Sequence, residues 1–392
     1  MLFPDLFNVQ FWWIVALAMI VLVPLRHAGL RRWAFATINL LMIALMLKSG
    51  VVAVLAMVAV GWLVLRVGGG RFATIATTAA GLAALGLFLV HKRPDLVTSS
   101  GVARIEPVLG AIGYSYVVLR WIEMARAVRS GRHPLPDPIA TINYLLPFHM
   151  LAAGPIQSFD EFRAQPAIPR PLSAAGALRA IERVAFGLFK KYVVAQAIQR
   201  AFLTGFHAGG MYTLLEVQLT YIWLYLDFSA YSDIAVGIGR LIGFEAPENF
   251  NHPYLARNMV MFWERWHISL SMFIRRNLFI PAQLVMTRYD GGRHPLRIAA
   301  LAFLVAFVPC GLWHRIGWPW VAWGLYHAAG LTISTAYRLW LTRKLGRKGV
   351  LQYMENPWIH LVMSALTFEF AALGVALPLF PYEDIFPWMS SH

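Results

Sequence analysis

The sequence predicts an all-α protein that crosses a membrane many times. Three observations carry this expectation. Of 392 residues, 59% are hydrophobic and 14% charged, with a mean hydropathy of +0.58; a soluble domain carries about 25% charged residues. The apolar residues gather into long runs separated by short polar loops. The basic residues sit in small clusters in those loops, as in the cytoplasmic loops of membrane proteins.

The runs, in order, cover residues 11–25, 33–47, 51–65, 72–90, 108–125, 139–153, 174–206, 212–244, 298–313, 319–340 and 358–380. A perpendicular helical span needs about 20 residues, so the shorter runs need flanking residues or a locally thinned bilayer. Asn143, Pro147 and His149 interrupt the run at 139–153, which reads as a broken or re-entrant element lining a cavity. The expectation is about 10–11 transmembrane helices plus re-entrant or interfacial ones. Residues 1–392 read as a single membrane-embedded domain, with peripheral helices over 1–135 and a polar-decorated core over 136–392. Proline-spaced linkers fall at Pro134, Pro136 and Pro138, and at Pro166, Pro169 and Pro171. No repeat of solenoid period is present.

Loop charge sets the expected orientation. Arg26, Arg31, Arg32, Arg66, Arg71, Arg126, Arg129 and Arg132 occupy one set of loops, against Lys48, Lys92, Arg93 and Arg104 in the alternate set. This bias places the N-terminus outside the cytoplasm. Arg338, Arg343, Lys344, Arg347 and Lys348 mark a cytoplasmic loop before the last run, which places the C-terminus outside as well. The start of the chain lacks a charged n-region and a small-residue cleavage site, so the first span is expected to be retained. A net charge of +15 would suit nucleic acid, but its scatter between apolar runs argues against that partner. The one cysteine, Cys310, forms no intrachain disulfide and reads as a small buried hydrophobe.

Residues 224–281 concentrate Asp227, Asp233, Arg240, Glu245, Glu248, Glu264, Arg265, His267 and Arg275 inside this apolar chain. Ionisable groups at membrane depth are costly and mark function by default. On a helix over 259–273, Glu264 lies three residues before His267, and Trp263 and Ser271 lie four residues to either side, on one face. There Glu264 either orients the imidazole or pairs with Arg265 or a headgroup, and His267 is either functional or a hydrogen-bonded packing group. His314 ends the run at 298–313 after Pro309 and Gly311, beside Trp313 and Arg315. It reads equally as a general base bordering a cavity or as an interfacial histidine. The twelve histidines form none of the close pairs that membrane iron enzymes need, and the single E-x-x-H at Glu264–His267 falls short of a di-iron bundle. Nucleophile-elbow, P-loop and dinucleotide motifs are missing too.

The stretches YLDFSAYSDIAVGIGRLIGF, ENFNHPYLARNMVMFWERWHISLS, FIPAQ, CGLWHRIGWPWVAWGLYH and, upstream, LLPFHMLAAGPI resemble the membrane-bound O-acyltransferase family. The resemblance is to its bacterial branch, with alginate O-acetylation proteins and teichoic-acid D-alanyltransferases, and runs from about Tyr114 to Ala329. It implies a ring of helices around a central tunnel, in the bacterial cytoplasmic membrane. It implies catalysis by His314 with His267 in support, no bound cofactor and no metal. The candidate substrate-binding residues are Asp233, Trp263, Glu264, Arg265, Ser271 and Trp313. The donor expected from the resemblance is an acyl-carrier-protein thioester or acetyl-CoA on the cytoplasmic face. The expected acceptor is a cell-envelope polymer or an extracytoplasmic acyltransferase partner. The alternative is a flippase-like channel for the acyl group without chemistry of its own. The chain departs from the family pattern at Phe273 and at Arg276-Asn277-Leu278, where relatives carry Trp and Arg-Asp-Tyr, and at Arg315 and Ile316, where relatives carry small residues.

Overall fold

A computed structural model describes residues 7–67, 70–92, 113–151, 153–203 and 211–379. Among these residues the regular structure is helical, apart from one antiparallel bridge between Phe250 and Trp266. The all-α expectation therefore holds. The chain divides into two compact units, Met1–Gly187 with Tyr231–Pro247, and Leu188–Ala230 with Glu248–His392. Part of the run expected at 108–125, together with Arg93 and Arg104, lies outside the described residues.

The first unit holds α1 (Val9–Leu22), α2 (Ala28–Leu47), α3 (Val51–Arg66), α4 (Arg71–Lys92), α5 (Tyr114–Arg129), α6 (Pro138–Leu145), α7 (Phe159–Ala164) and most of α8 (Ala174–Phe189). Local chemistry sets their starts. The Asn8 side chain accepts from Phe11 N–H at 3.0 Å, and Asp137 accepts from Ala140 N–H at 2.9 Å ahead of a first-turn proline. Ser158 and Glu161 form a capping box on α7. Val9, Trp13, Ile20, Phe72 and Ile75 stand exposed on α1 and α4, the outward apolar surface of helices bathed in lipid.

The run at 139–153 is broken, as its Asn, Pro and His predict. Helix α6 stops at Leu145, and the chain continues as a single 3-10 turn at Phe148–Met150. Irregular backbone survives at such depth only if its polar groups find partners. Arg120, fully buried on α5, supplies them. Its guanidinium donates to the carbonyls of Met150 at 2.6 Å, Leu145 at 3.3 Å and Pro155 at 3.4 Å. Asn39 of α2 accepts from Phe148 N–H at 2.9 Å and donates to the Asn143 side chain at 3.2 Å.

The second unit is built on α9 (Met211–Ile242, which contributes its part up to Ala230), α10 (Met259–Trp263), α11 (Ile268–Ile274), α12 (Ile280–Asp290), α13 (Pro295–His314), α14 (Trp318–Glu355, interrupted at Gly346, φ 66°) and α15 (Pro357–Leu379). Two π-helical stretches, Lys190–Ala195 and Gln199–Leu203, precede α9. The first sets Lys190 and Lys191 inward. Lys191 Nζ meets Asp227 Oδ1 at 2.6 Å, and Lys190 Nζ donates to Ser229 Oγ at 2.9 Å, all four residues buried. Burying a cation requires such pairing.

Among the described residues four helical segments are long and apolar enough to cross a membrane: Ala28–Leu47, Arg71–Val90, Pro295–His314 and Pro357–Leu379. The single helix expected over 259–273 is not formed. Helix α10 ends at Trp263, and α11 starts only at Ile268, after His267 adopts φ 43° and ψ 53°. An upstream segment, residues 249–251, takes the backbone groups that a continuous helix would use. Asn251 N–H donates to the Arg265 carbonyl and Ile268 N–H to the Asn249 carbonyl, both at 2.9 Å.

Candidate active site

Helices α13 and α14 form an antiparallel hairpin whose backbones nearly touch. A Cβ on Gly324 would lie 2.6 Å from the Phe307 carbonyl oxygen and 2.8 Å from Val308 Cα, and one on Gly311 would collide with the Trp320 carbonyl. Each glycine is followed three residues later by a histidine, in Gly311-Leu312-Trp313-His314 and Gly324-Leu325-Tyr326-His327. The close approach seats these histidines in a nest of indoles. The His314 ring lies 5.1 Å from Trp320, stacked, 4.9 Å from Trp313 and 5.5 Å from Trp323. Trp323 lies 4.5 Å from His327, so one indole touches both imidazoles. His314 is half-buried, whereas His327 is 3% exposed and has no partner for Nδ1.

His267 is the third member. It is 3% exposed, and it lies within electrostatic reach of His314, as His327 does. Its Nδ1 is 3.0 Å from Asn249 Oδ1, and Phe228 meets its ring edge-on at 4.7 Å. Its Nε2 is buried without a partner. The left-handed backbone at His267 is uncommon for a residue with a side chain and costs about 1–3 kcal/mol, a strain that clusters at functional positions.

Beside this cluster opens a cavity of about 610 Å³. Arg257, Arg275 and Arg338 line it against one acidic side chain, Glu264, and Ser271, Ser334, Tyr337 and Tyr353 add hydroxyls. Trp263 and Phe307 form the wall shared with the histidines: Trp263 lies 5.3 Å from His327 and 4.9 Å from Phe307. Trp263 Nε1 is buried with no acceptor. The cavity thus joins a cationic lining to an aromatic wall.

The sequence-derived candidates divide accordingly. His314 and His267 come together, with Trp313 against His314. Trp263, Glu264 and Ser271 line the cavity. Arg265 contributes its carbonyl to the Asn251 pairing. Asp233 belongs to the first unit, where Arg183 Nε donates to its carboxylate at 3.0 Å. The shared helical face expected for Glu264, Trp263, His267 and Ser271 does not exist, because the helix breaks between them; the imidazole Nδ1 meets Asn249 rather than Glu264. Asn277, the departure from the family pattern, donates to the Phe273 carbonyl at 2.9 Å. Sequence reading missed Asn249, His327, Trp323 and two of the three arginines, Arg257 and Arg338. The repeated Gly-Leu-aromatic-His was the signal that would have found His327.

Histidines held among indoles at a helix hairpin thus lie next to a basic chamber. The model of MBOAT, the membrane-bound O-acyltransferase family, matches residues 9–364, and the chain belongs to that family. It is 28% identical to the teichoic acid D-alanyltransferase of Streptococcus thermophilus over 309 residues, which cover 75% of this chain and 72% of that protein. It is 30% identical to a probable alginate O-acetylase of Azotobacter vinelandii over 263 residues, 64% of this chain and 50% of the relative. Over 155 residues it is 37% identical to the peptidoglycan O-acetyltransferase of Helicobacter pylori, 38% of this chain and 28% of the relative.

Proposed function

We propose that this acyltransferase moves a short acyl group, acetyl or D-alanyl, from a cytoplasmic thioester to a hydroxyl of an extracytoplasmic cell-envelope acceptor in the bacterial cytoplasmic membrane, with His314 as general base. The observation that carries the reading is the His314 imidazole, half-buried among Trp313, Trp320 and Trp323, in reach of His267 and one indole away from the cavity wall. The names of the relatives, which act on teichoic acid, alginate and peptidoglycan, support a cell-envelope polymer as acceptor.

The chemistry needs a base and an oxyanion donor. The acceptor hydroxyl oxygen attacks the thioester carbonyl carbon while His314 takes the hydroxyl proton. The tetrahedral oxyanion collapses, the C–S bond breaks, and the leaving thiolate recovers the proton from the imidazolium. Arg257, Arg275 and Arg338 suit an anionic donor, either a phosphate-bearing acyl carrier protein arm or acetyl-CoA. The acceptor is the polymer itself or an extracytoplasmic acyltransferase partner.

The test is His314→Ala, purified at wild-type yield and assayed for ester formation with each donor. Transfer is expected to vanish, whereas His294→Ala, which alters an exposed histidine paired with Asp290, should retain it. Undiminished acylation by the His314 variant would sink the assignment.

A further inference from the structure

We propose that Asn249 is a positioning residue that sets the tautomer of His267, holding its proton on Nδ1 and leaving the lone pair on the buried Nε2. The proposal deepens the acyltransfer reading given above and rests on it for its catalytic consequence.

The argument is one of hydrogen-bond bookkeeping. Asn249 Oδ1 accepts from the backbone N–H of Ser269 at 3.2 Å and from Ser269 Oγ at 2.8 Å. A backbone N–H has no lone pair to offer, so the Asn249 atom facing it is the carbonyl oxygen and not the amide nitrogen. The same oxygen lies 3.0 Å from His267 Nδ1. An acceptor facing Nδ1 demands a proton there. A neutral imidazole carries one proton, so Nε2 is left with its lone pair, and that atom is buried without a partner. An unprotonated nitrogen at Nε2 is able to accept a proton or a hydrogen bond. The opposite tautomer would present an N–H there, a donor with no lone pair to accept a proton.

The surroundings fix the ring as well as the proton. Phe228 packs edge-on against it at 4.7 Å, and the backbone bond from Ile268 N–H to the Asn249 carbonyl ties the two residues together at 2.9 Å. Phe228 and Asn249 meet the ring directly, and His314 is the titratable group within electrostatic reach of it among the described residues. Asn249 also caps α11 through Ser269 N–H, so a structural role must be separated from the positioning one.

The test uses the full chain in detergent, labelled with 15N-histidine, with the His267 signals assigned by their loss in His267→Gln. Wild-type His267 is expected as neutral imidazole with protonated Nδ1 and unprotonated Nε2. In Asn249→Ala the Nε2-protonated form should appear and kcat fall by about tenfold or more, with KM changed less than twofold. Asn249→Asp keeps an acceptor and the cap, but adds a negative charge beside the ring. It should keep the wild-type melting temperature and tautomer, and shift the acid limb of the kcat–pH profile upward by about one unit or more. A wild-type His267 protonated at Nε2 would overturn the proposal, and so would an Asn249→Asp profile that coincides with wild type. The NMR readout needs no turnover, so a preparation that shows the expected tautomer but forms no ester indicts the acyltransfer reading alone.

Discussion

Replacing Gly324 by alanine tests whether the helix hairpin sets the chemistry. The added Cβ would stand 2.6 Å from the Phe307 carbonyl oxygen and 2.8 Å from Val308 Cα, where ordinary contact begins near 3.4 Å. Both obstacles are backbone of α13, which cannot swing aside as a side chain can. The helices must therefore part by about 0.8 Å, from 3.4 less 2.6. Overpacking of this kind costs about 1–3 kcal/mol of stability. The functional effect should be larger. His327 lies three residues beyond Gly324, and Trp323, its neighbour, touches both His327 and His314. A misplacement near 1 Å costs about 100-fold in rate, so kcat should fall by between ten- and a hundredfold while the protein still folds. The assay is steady-state acyl transfer beside a thermal melt in detergent. Wild-type kcat in a folded Gly324→Ala protein would refute the idea that this close approach positions the imidazoles.

Further expectations follow from other contacts. At His267, φ 43° favours glycine, so His267→Gly should be more stable than His267→Ala by about 1 kcal/mol in denaturant titrations, although both lose activity. Lys191→Met strands Asp227 in a buried site and should destabilise by about 3–5 kcal/mol, whereas Lys191→Met with Asp227→Leu should recover most of that loss, as read from melting curves. Arg275→Glu with Arg338→Glu reverses the sign of the cavity lining. It should raise the KM for an anionic donor by about tenfold, with kcat little altered and the gap narrowing at high salt.

The helices were largely legible because burial and lipid contact impose one dominant signal on the sequence. The run at 212–244 became α9 and the run at 298–313 became α13, within a few residues. The break at 139–153 was legible too, since a proline and polar side chains sat where a helix would need donors. The break at 264–267 was not. Its cause is a pairing with residues 249–251, and the local apolar period gives no hint of a competing partner outside the helix. The same non-locality hid Asn249 as the imidazole's partner and gathered Arg257, Arg275 and Arg338 on one cavity from points about eighty residues apart in the chain. Asp233 stood out as a charge in an apolar stretch, yet its charge is answered locally by Arg183. Intramembrane charge marks the need for a partner, and only the fold says whether that partner is substrate or protein.

Cys310 is the only thiol in the chain, and it is buried on α13 one turn before His314 and next in sequence to Gly311. The wild-type protein therefore contains a native reporter for breathing of the hairpin. A maleimide should leave the closed molecule untouched and capture Cys310 only when α13 parts from its packed neighbours, since alkylation needs an accessible sulfur. The Gly324→Ala chain should be captured faster than wild type. The capture rate would then count openings beside the reactive imidazole, and a ligand that fills the chamber and clamps the hairpin would register as protection of a single sulfur.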